Sequence, residues 1–150
     1  MIKKFGIIFV IFGLMMTLNQ SCKKKDVQSS IDRKIIEDYA SAHQLNGKFT
    51  SSGLYYVIQK PGSSQHPSLS SNVTVNYKGY FLDGKVFDQR TASFLLYVVI
   101  TGWQEGIPLI GTGGKILLII PSKLAYGSTG TSGIPPNTVL AFEVSLISFN

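Results

Sequence analysis

The sequence predicts an α+β fold in which five or six antiparallel strands carry one short helix on a sheet face. Apolar and polar residues alternate through residues 73–82 and 139–147, the pattern of strands with one buried face. Asp83 and Gly84 follow the first of these segments and are a strong signal for a two-residue hairpin. One short helix is predicted among the strands, at residues 101–109. Strands that outnumber helices in this way favour a helix packed on one antiparallel sheet.

The remaining strands are predicted from apolar composition and from the turns that flank them. Residues 115–120 form an apolar run, which is typical of a buried strand. In the last strand, alternation places Leu140, Phe142, Val144 and Leu146 on one face, which we expect to point into the core. Further strands are predicted at residues 54–59, 85–87 and 94–100.

A separate helix is predicted upstream of the strands, at residues 32–45. Ile31, Ile35, Tyr39 and Ala42 recur at helical spacing and would form its apolar face, with Ile36 beside them. The polar residues 26–31 before it are expected to be flexible. The helix could dock on the domain or hold it away from a membrane. Both roles are favoured over pairing with a second copy, because one and a half heptads make a weak zipper.

The first 21 residues have the pattern of a secretory signal peptide. Lys3 and Lys4 precede an apolar run at 5–18, which is shorter than the roughly 20 residues that a membrane-spanning helix needs. Cys22, the only cysteine of the chain, follows directly. The segment resembles a bacterial lipoprotein processing site, with cleavage before Cys22 and lipid on its thiol. The alternative is a cut nearby that leaves Cys22 as a free thiol.

This N-terminal pattern divides the chain into three parts. We expect a signal peptide at residues 1–21, a lipid-anchor tether with a short helix at 22–50, and the folded domain at 51–150. Lys23 to Lys25 would lie at the lipid headgroups, where each is worth about 1 kcal/mol beside anionic lipid. The expected location is outside the cytoplasm and anchored to a membrane, on the periplasmic side or at the outer membrane of a Gram-negative-like bacterium.

The charge distribution argues against a nucleic-acid partner. The formal net charge is +6, but five lysines lie before residue 26. Nine basic and eight acidic residues follow, so the domain itself is nearly neutral. Binding to nucleic acid requires a basic face on the domain. We therefore expect none.

The sequence offers no pattern for metal, cofactor or nucleophilic chemistry, and none of these is expected. His43 and His66 lack the spacing of metal ligands and are interpreted as surface residues. The segment from Gly111 to Gly114 lacks the Gly-Lys-Ser/Thr ending of a phosphate-binding loop. No Ser/His/Asp set or spaced pair of carboxylates occurs in a plausible context.

Rotation about an X-Pro amide needs none of those groups. Resonance opposes the rotation with a barrier of about 18–20 kcal/mol, and no covalent bond breaks. A dry, aromatic-lined cavity can favour the twisted amide, because the planar form is more polar and loses more when water is removed. A few donors must hold the chain on either side of the bond.

The chain carries suitable side chains beside its irregular segments. Tyr126 and Ile134 flank a loop rich in turn residues, and loops that carry large apolar side chains usually cover something. Each aromatic taken singly is more often part of a core than of a site. The candidate site residues are Tyr77, Phe87, Asp88, Val99, Ile100, Trp103, Tyr126, Ile134 and Phe142.

Seven short motifs follow one another along the second half of the chain. They are Val-Asn-Tyr-Lys-Gly at 75–79, Asp-Gly-Lys-Val-Phe-Asp at 83–88, Val-Ile-Thr-Gly-Trp-Gln-Glu-Gly at 99–106, Gly-Gly-Lys at 113–115, Leu-Ala-Tyr-Gly at 124–127, Ile-Pro-Pro-Asn at 134–137 and Leu-Ala-Phe-Glu-Val at 140–144. In content and order they resemble the FKBP-type peptidyl-prolyl cis-trans isomerases, over about residues 53–150. The resemblance implies an antiparallel sheet curled around a short helix.

The resemblance also implies a role for each candidate. The backbone N–H of Ile100 and the hydroxyl of Tyr126 would donate to substrate carbonyls. Asp88 would be the polar group beside the rotating bond, and Ile134 would close the side of the loop. Trp103 would form the floor of the proline pocket. Its walls would be Tyr77, Phe87, Val99, Ile100 and Phe142.

The implied function is isomerisation of X-Pro bonds in exported, proline-containing polypeptides, with a macrolide of the rapamycin type as a further ligand. A non-catalytic binding or chaperone module with the same pocket is the alternative. The segment between Asp88 and Phe94 favours it, because it is shorter than is usual in the family and has Ala92 where many members place another aromatic. A purely structural lipoprotein domain would leave the pocket aromatics unexplained.

Overall fold

The computed structural model describes the backbone of residues 16–150 and the side chains of residues 27–150. Most of the predicted signal peptide (1–21) and the side chain of Cys22 lie outside these described residues. Within them, no helix combines the length and the apolar character that crossing a membrane requires.

One antiparallel sheet forms the body of the fold, as predicted. Its strands are β1 (Lys48–Phe49), β2 (Tyr55–Lys60), β3 (Asn72–Phe81), β4 (Val86–Leu95), β5 (Lys115–Ile120) and β6 (Leu140–Phe149). Their spatial order is β1-β2-β5-β6-β3-β4, so β6 joins the β3–β4 hairpin to the other half of the sheet. β6 keeps the predicted alternation, with its even-numbered residues from 140 to 146 in the inner core and Ala141 on the opposite face.

The predicted strand at 94–100 is wrong in its second half. β4 runs unbroken from Val86 to Leu95, and Leu96–Val98 then form a 3-10 turn. The Leu96 N–H donates to the Ser71 carbonyl and the Tyr97 N–H to the Leu69 carbonyl, both at 3.0 Å. The backbone therefore turns to bond the loop before β3, although its apolar composition suggested a strand.

The N-terminal helix α1 spans Met16–Ala42, so it begins earlier and ends earlier than predicted. Residues 27–31, predicted to be flexible, are helical. The docked face is also shifted by one position. Ile36 and Ala40 are buried against the outer face of the sheet, whereas Ile31 and Ile35 stay exposed. Asp32 is buried on the same face, in a polar contact described below.

The predicted central helix is present as α2 (Thr101–Gly106), followed by a 3-10 turn at Ile107–Leu109 that contains Pro108. Its two glycines allow it to lie directly on β5. A Cβ atom on Gly102 would lie 2.5 Å from Ile120 Cγ2, and one on Gly106 would lie 2.5 Å from Leu118 Cδ2. This close approach seats Trp103 on the inner face of the sheet.

Candidate active site

The inner face of the sheet and the segment leading into α2 enclose a cavity of about 350 Å³. Every predicted site residue except Ile134 lines it. The complete lining is Tyr77, Phe87, Asp88, Arg90, Ala92, Phe94, Val98, Val99, Ile100, Trp103, Tyr126 and Phe142.

Trp103 is the centre of the aromatic part of the cavity and is only 5% exposed. Its ring lies 4.9 Å from Tyr77, 5.2 Å from Phe142 and 5.4 Å from Phe94, measured between ring centroids. The contacts with Tyr77 and Phe142 are edge-to-face, an arrangement that aromatic pairs prefer. Among the described side chains, its Nε1 is the one buried nitrogen or oxygen atom without a hydrogen-bond partner.

Gly79 allows two of the aromatic walls to meet. It pairs with Phe142 across β6 and with Asp88 across β4. A Cβ atom at this position would lie 2.7 Å from Phe142 Cε1 and 2.8 Å from Phe87 Cε2. Without that atom the Phe87 and Phe142 rings pack edge-to-face with centroids 5.5 Å apart. The glycine of the Val-Asn-Tyr-Lys-Gly motif is therefore required by the packing of the site.

Three polar groups form a connected set at one side of the cavity. The Tyr77 hydroxyl donates to Asp88 Oδ2, and Arg90 Nε donates to the Tyr77 oxygen at 2.8 Å. Arg90 Nη2 lies 3.6 Å from Asp88 Oδ2. Burial, followed by the bond to Asp88, raises the pKa of Tyr77, so its hydroxyl stays protonated at neutral pH. The bond to Tyr77 raises the pKa of Arg90, which remains a cation.

The two predicted donors both belong to residues that line the cavity. Ile100 directly precedes α2, and its carbonyl accepts from the Trp103 N–H at 2.9 Å. In the described part of the chain, no acceptor receives a hydrogen bond from the Ile100 N–H. Tyr126 follows the 3-10 turn at Ser122–Leu124 and is 37% exposed. Both groups therefore lie where a bound polypeptide could reach them.

Gln104 fixes the segment that presents Val99 and Ile100. Its Nε2 donates to the Tyr97 carbonyl at 3.1 Å and to the Val99 carbonyl at 2.8 Å. The backbone before α2 has no strand partner, so these two bonds from the helix replace the support that a sheet would give.

Ile134 does not line the cavity. It is buried in the inner core cluster and forms a two-residue bridge with Thr131, each N–H donating to the other's carbonyl at 2.9 Å. Its side chain supports the loop from inside. The role of closing the site therefore has less geometric support than the other assignments.

Four lining residues lie outside the predicted set, namely Arg90, Ala92, Phe94 and Val98. Of these, the sequence drew attention only to Ala92, as a position where many family members have an aromatic. The first three share a face of β4 with Asp88, two residues apart along the strand. A period of two starting at Asp88 would have found them if the strand had been extended beyond residue 87.

The described residues contain no group of three or more His, Cys, Asp or Glu side chains placed to hold a metal ion. His43 and His66 are exposed, as predicted, and each bonds a backbone carbonyl through its ring. The chemistry available in the cavity is that of aromatic surface, one carboxylate and a few donors.

The model of the family described as FKBP-type peptidyl-prolyl cis-trans isomerase matches residues 63–147. The chain belongs to this family. The match includes the twelve residues that line the cavity. The predicted family and its fold are thereby confirmed, and the sheet, the central helix and the cavity are features of an FKBP-type domain.

Curated relatives agree with this assignment. The chain is 39% identical over 137 residues to the FKBP-type peptidyl-prolyl cis-trans isomerase FkpA of Escherichia coli, which covers 83% of this chain and 51% of that protein. It is 47% identical over 107 residues to FkpA of Buchnera aphidicola subsp. Baizongia pistaciae, covering 68% of this chain and 43% of that protein. The chain thus spans about half the length of the curated relatives it matches.

Solved structures are similar over most or nearly all of the chain. The crystal structure of FkpA from Escherichia coli is similar with a TM-score of 0.70 and 34% identity, covering 99% of this chain and 75% of that one. A peptidyl-prolyl cis-trans isomerase from Pseudomonas syringae pv. tomato is similar with a TM-score of 0.70 and 32% identity, covering 81% of this chain and 96% of that one.

Proposed function

We propose that this FKBP-type chain is an exported peptidyl-prolyl cis-trans isomerase that accelerates rotation about X-Pro bonds in polypeptides folding outside the cytoplasm. The observation that carries the proposal is the aromatic cavity over Trp103, with an unpartnered N–H at Ile100 and an accessible hydroxyl at Tyr126. Uncatalysed isomerisation takes tens to hundreds of seconds, so a folding chain gains from such a catalyst.

The proposed mechanism is binding of the twisted amide in a water-poor site. The proline ring would lie over Trp103 between the Tyr77, Phe87 and Phe142 rings, which offer no hydrogen bonds to a planar amide. Because the planar amide is the more polar form, transfer out of water raises its free energy more than that of the twisted form. The Ile100 N–H and the Tyr126 hydroxyl would donate to the flanking carbonyls, while Val99 would pack beside them.

Asp88 would act as an oriented polar group and not as a proton-transfer catalyst. Its carboxylate accepts from Tyr77 and faces Arg90, so its position is fixed before substrate arrives. Since the raised pKa keeps Tyr77 protonated and Arg90 stays charged, neither can exchange a proton readily at neutral pH. The neighbourhood therefore favours electrostatic stabilisation of the rotating amide.

Export and anchoring are part of the proposal, with a signal peptide at 1–21, a tether at 22–50 and the isomerase domain at 51–150. They are supported by the signal pattern before Cys22. The boundary at residue 50 falls between β1 and β2, which pair, and α1 packs on the same sheet. The part of the tether from about residue 27 would therefore be a docked element, leaving only a short spacer after the anchor.

The anchoring proposal is tested by Cys22→Ser. The variant should still be exported but should move from the membrane fraction to the soluble fraction, because the lipid would be lost. Equal membrane retention of the variant and the wild type would contradict the lipid anchor.

A non-catalytic binding or chaperone module is a second candidate. Ala92 favours it, because a methyl group lines the cavity at a position where many family members place an aromatic ring. Such a module would hold a proline-containing partner, or a macrolide of the rapamycin type, without lowering the barrier. No nucleic-acid partner is proposed.

The deciding experiment is a protease-coupled assay on a proline tetrapeptide. The chain without residues 1–21, carrying Cys22→Ser, should raise the isomerisation rate above the uncatalysed rate in proportion to its concentration. Binding of rapamycin should abolish the increase. Rapamycin binding without any catalysis would favour the binding module and contradict the enzyme.

A further inference from the structure

A buried carboxylate connects α1 to the loop that carries Tyr126. Asp32 is 1% exposed. Its Oδ2 accepts from the Ser122 N–H at 2.8 Å and from the Ser122 hydroxyl at 2.6 Å, and its Oδ1 accepts from Gln28 Nε2 at 2.7 Å. A fully buried aspartate is rare unless it is satisfied in this way. The contact joins residues that are 90 positions apart in the sequence.

Ser122 begins the 3-10 turn that leads to Tyr126. The residue before it is Pro121, whose side chain makes no capping hydrogen bond. Asp32 therefore supplies from another helix the carboxylate that a turn usually receives from its own N-cap. This contact fixes the orientation of the first N–H of the turn.

The carbonyl of Ser122 holds the backbone on both sides of Tyr126. It accepts from the Ala125 N–H at 3.0 Å and from the Gly127 N–H at 2.8 Å. Gly127 has a left-handed φ of 60°, and its own carbonyl accepts from the Asn137 N–H at 2.8 Å. A change in the backbone conformation of Ser122 would consequently displace Tyr126.

Docking of α1 does not require a carboxylate at residue 32. Ile36 and Ala40 already bury an apolar face of the helix. An apolar side chain at 32 could extend that face without the desolvation that a buried carboxylate suffers. Only a hydrogen-bond acceptor at this position can bind both the N–H and the hydroxyl of Ser122.

We propose that Asp32 is a positioning residue for the isomerase reaction, acting through Ser122 to place the Tyr126 hydroxyl at the edge of the cavity. The inference rests on the proposed function, in which that hydroxyl donates to a substrate carbonyl. It makes α1 part of the device that orients the site.

The test is a double-mutant cycle of Asp32→Ala and Tyr126→Phe on the chain without residues 1–21, carrying Cys22→Ser. Tyr126→Phe removes one neutral hydrogen bond and should lower kcat/KM about two- to tenfold. Asp32→Ala should lower it within the same range. Added to Tyr126→Phe, it should cause no further loss, because the hydroxyl that it positions is already absent.

Ile36→Val is the matched control for stability. It shortens a buried side chain of the same helix and has no hydrogen bond to Ser122. It should reduce the stability while leaving kcat/KM of the folded protein unchanged. Asp32→Asn should restore most of the activity, since its carbonyl oxygen can still accept from Ser122. If Asp32→Ala does not fold, Ser122→Ala, which removes the hydroxyl donor, replaces it in the cycle.

Losses that multiply in the double variant, or full activity in folded Asp32→Ala, would overturn the inference. An inactive Tyr126 hydroxyl, seen as an unchanged rate in Tyr126→Phe, would overturn it too, while the catalytic function stands. If the wild type shows no catalysis, the proposed function fails. Amide hydrogen exchange then tests separately whether Asp32 holds the Tyr126 loop in place. Faster exchange at Gly127 in Asp32→Ala but not in Ile36→Val supports the positioning contact, and equal exchange in both overturns it.

Discussion

The two faces of the sheet are each covered by one helix, and the two helices are used differently. On the outer face α1 brings Ile36 and Ala40 against Ala141 and Ile119, and these side chains are buried. On the inner face α2 lies close to β5 through its glycines but leaves a cavity of about 350 Å³ beside Trp103. The apolar packing on the outer face contributes stability, whereas the inner face has fewer packing contacts around Trp103 because a cavity lies there.

The chemical character of the two faces follows the same division. The outer face combines aliphatic side chains with the buried rings of Tyr55 and Tyr80 in one closely packed cluster. Rigid rings line the inner cavity, and such rings can stand around an empty space with only edge contacts to one another. We expect substitutions on the inner face to affect activity and stability together, and those of the apolar residues on the outer face to affect stability alone.

The largest effect is expected for Trp103→Ala. It removes the ring that contacts Tyr77, Phe94 and Phe142, and loss of a buried aromatic costs about 3–5 kcal/mol. Urea unfolding measures the free energy, and rapamycin titration of the folded fraction measures the site, which should be lost. Tyr97→Ala is the control, because that ring is 57% exposed and should cost about 0.5 kcal/mol or less. Similar losses in both variants would contradict the central position of Trp103.

Ile36→Ala disturbs the packing of the outer face. It should lower the free energy of unfolding by about 2–5 kcal/mol, since the side chain is fully buried. At temperatures where the variant is folded, kcat/KM should stay within about twofold of the wild type, as no residue of the cavity is contacted by Ile36. Urea unfolding measures the free energy of unfolding, and the protease-coupled assay measures kcat/KM. A parallel fall in activity would show that the outer core and the cavity are not separable.

A smaller effect, confined to activity, is expected for Asp88→Val. The substitution removes the acceptor of Tyr77 and the polar group beside the proposed rotating bond. We expect a loss in kcat/KM of more than the two- to tenfold of a single neutral hydrogen bond but less than about a hundredfold. Arg90→Lys is a suitable control, because it keeps the charge at the exposed side of the set. A loss of three orders of magnitude in a folded variant would contradict the cavity mechanism and indicate acid–base catalysis.

Features set by local signals could be predicted from the sequence, whereas features set by long-range contacts could not. The alternation in β3 and β6 and the Asp83–Gly84 turn are local signals, and they placed the hairpin and its inward face correctly. The loop itself has three residues, 82–84, and not the predicted two, because the Phe81 N–H donates to the Lys85 carbonyl. The segment at 96–100 could not be assigned, because its bonds go to residues 69 and 71, which only the folded chain brings near. The rotation of α1 was missed for the same reason. The docked face lies one position from the most apolar stripe and includes the buried Asp32, whose partner Ser122 is 90 positions away in the sequence.

Most of the site was predicted from aromatic residues and motifs. The lining residues on β4 could be predicted only if the full length of that strand was known. Arg90 shows the difference, since an exposed arginine in a short segment gives no signal by itself. Its bond to Tyr77 follows from the register of β3 and β4, in which the two residues are direct partners. Registers of this kind require the strand to be known over its full length.

The smallest expected effect is a pH dependence shared by one tyrosine of each face. Burial is the leading cause that raises the pKa of both Tyr77 and Tyr80 above the usual 10.0. In the unfolded chain they would lose their protons at about pH 10, whereas the folded protein keeps them protonated. Their contribution to stability is therefore complete below pH 10 and is lost as the pH rises through the higher folded pKa. The free energy of unfolding in urea should therefore fall as the pH rises above about 10. Tyr77→Phe and Tyr80→Phe should each make that fall less steep, while Tyr97→Phe, an exposed ring, should leave it unchanged. An identical slope in all three variants would show that neither buried hydroxyl contributes.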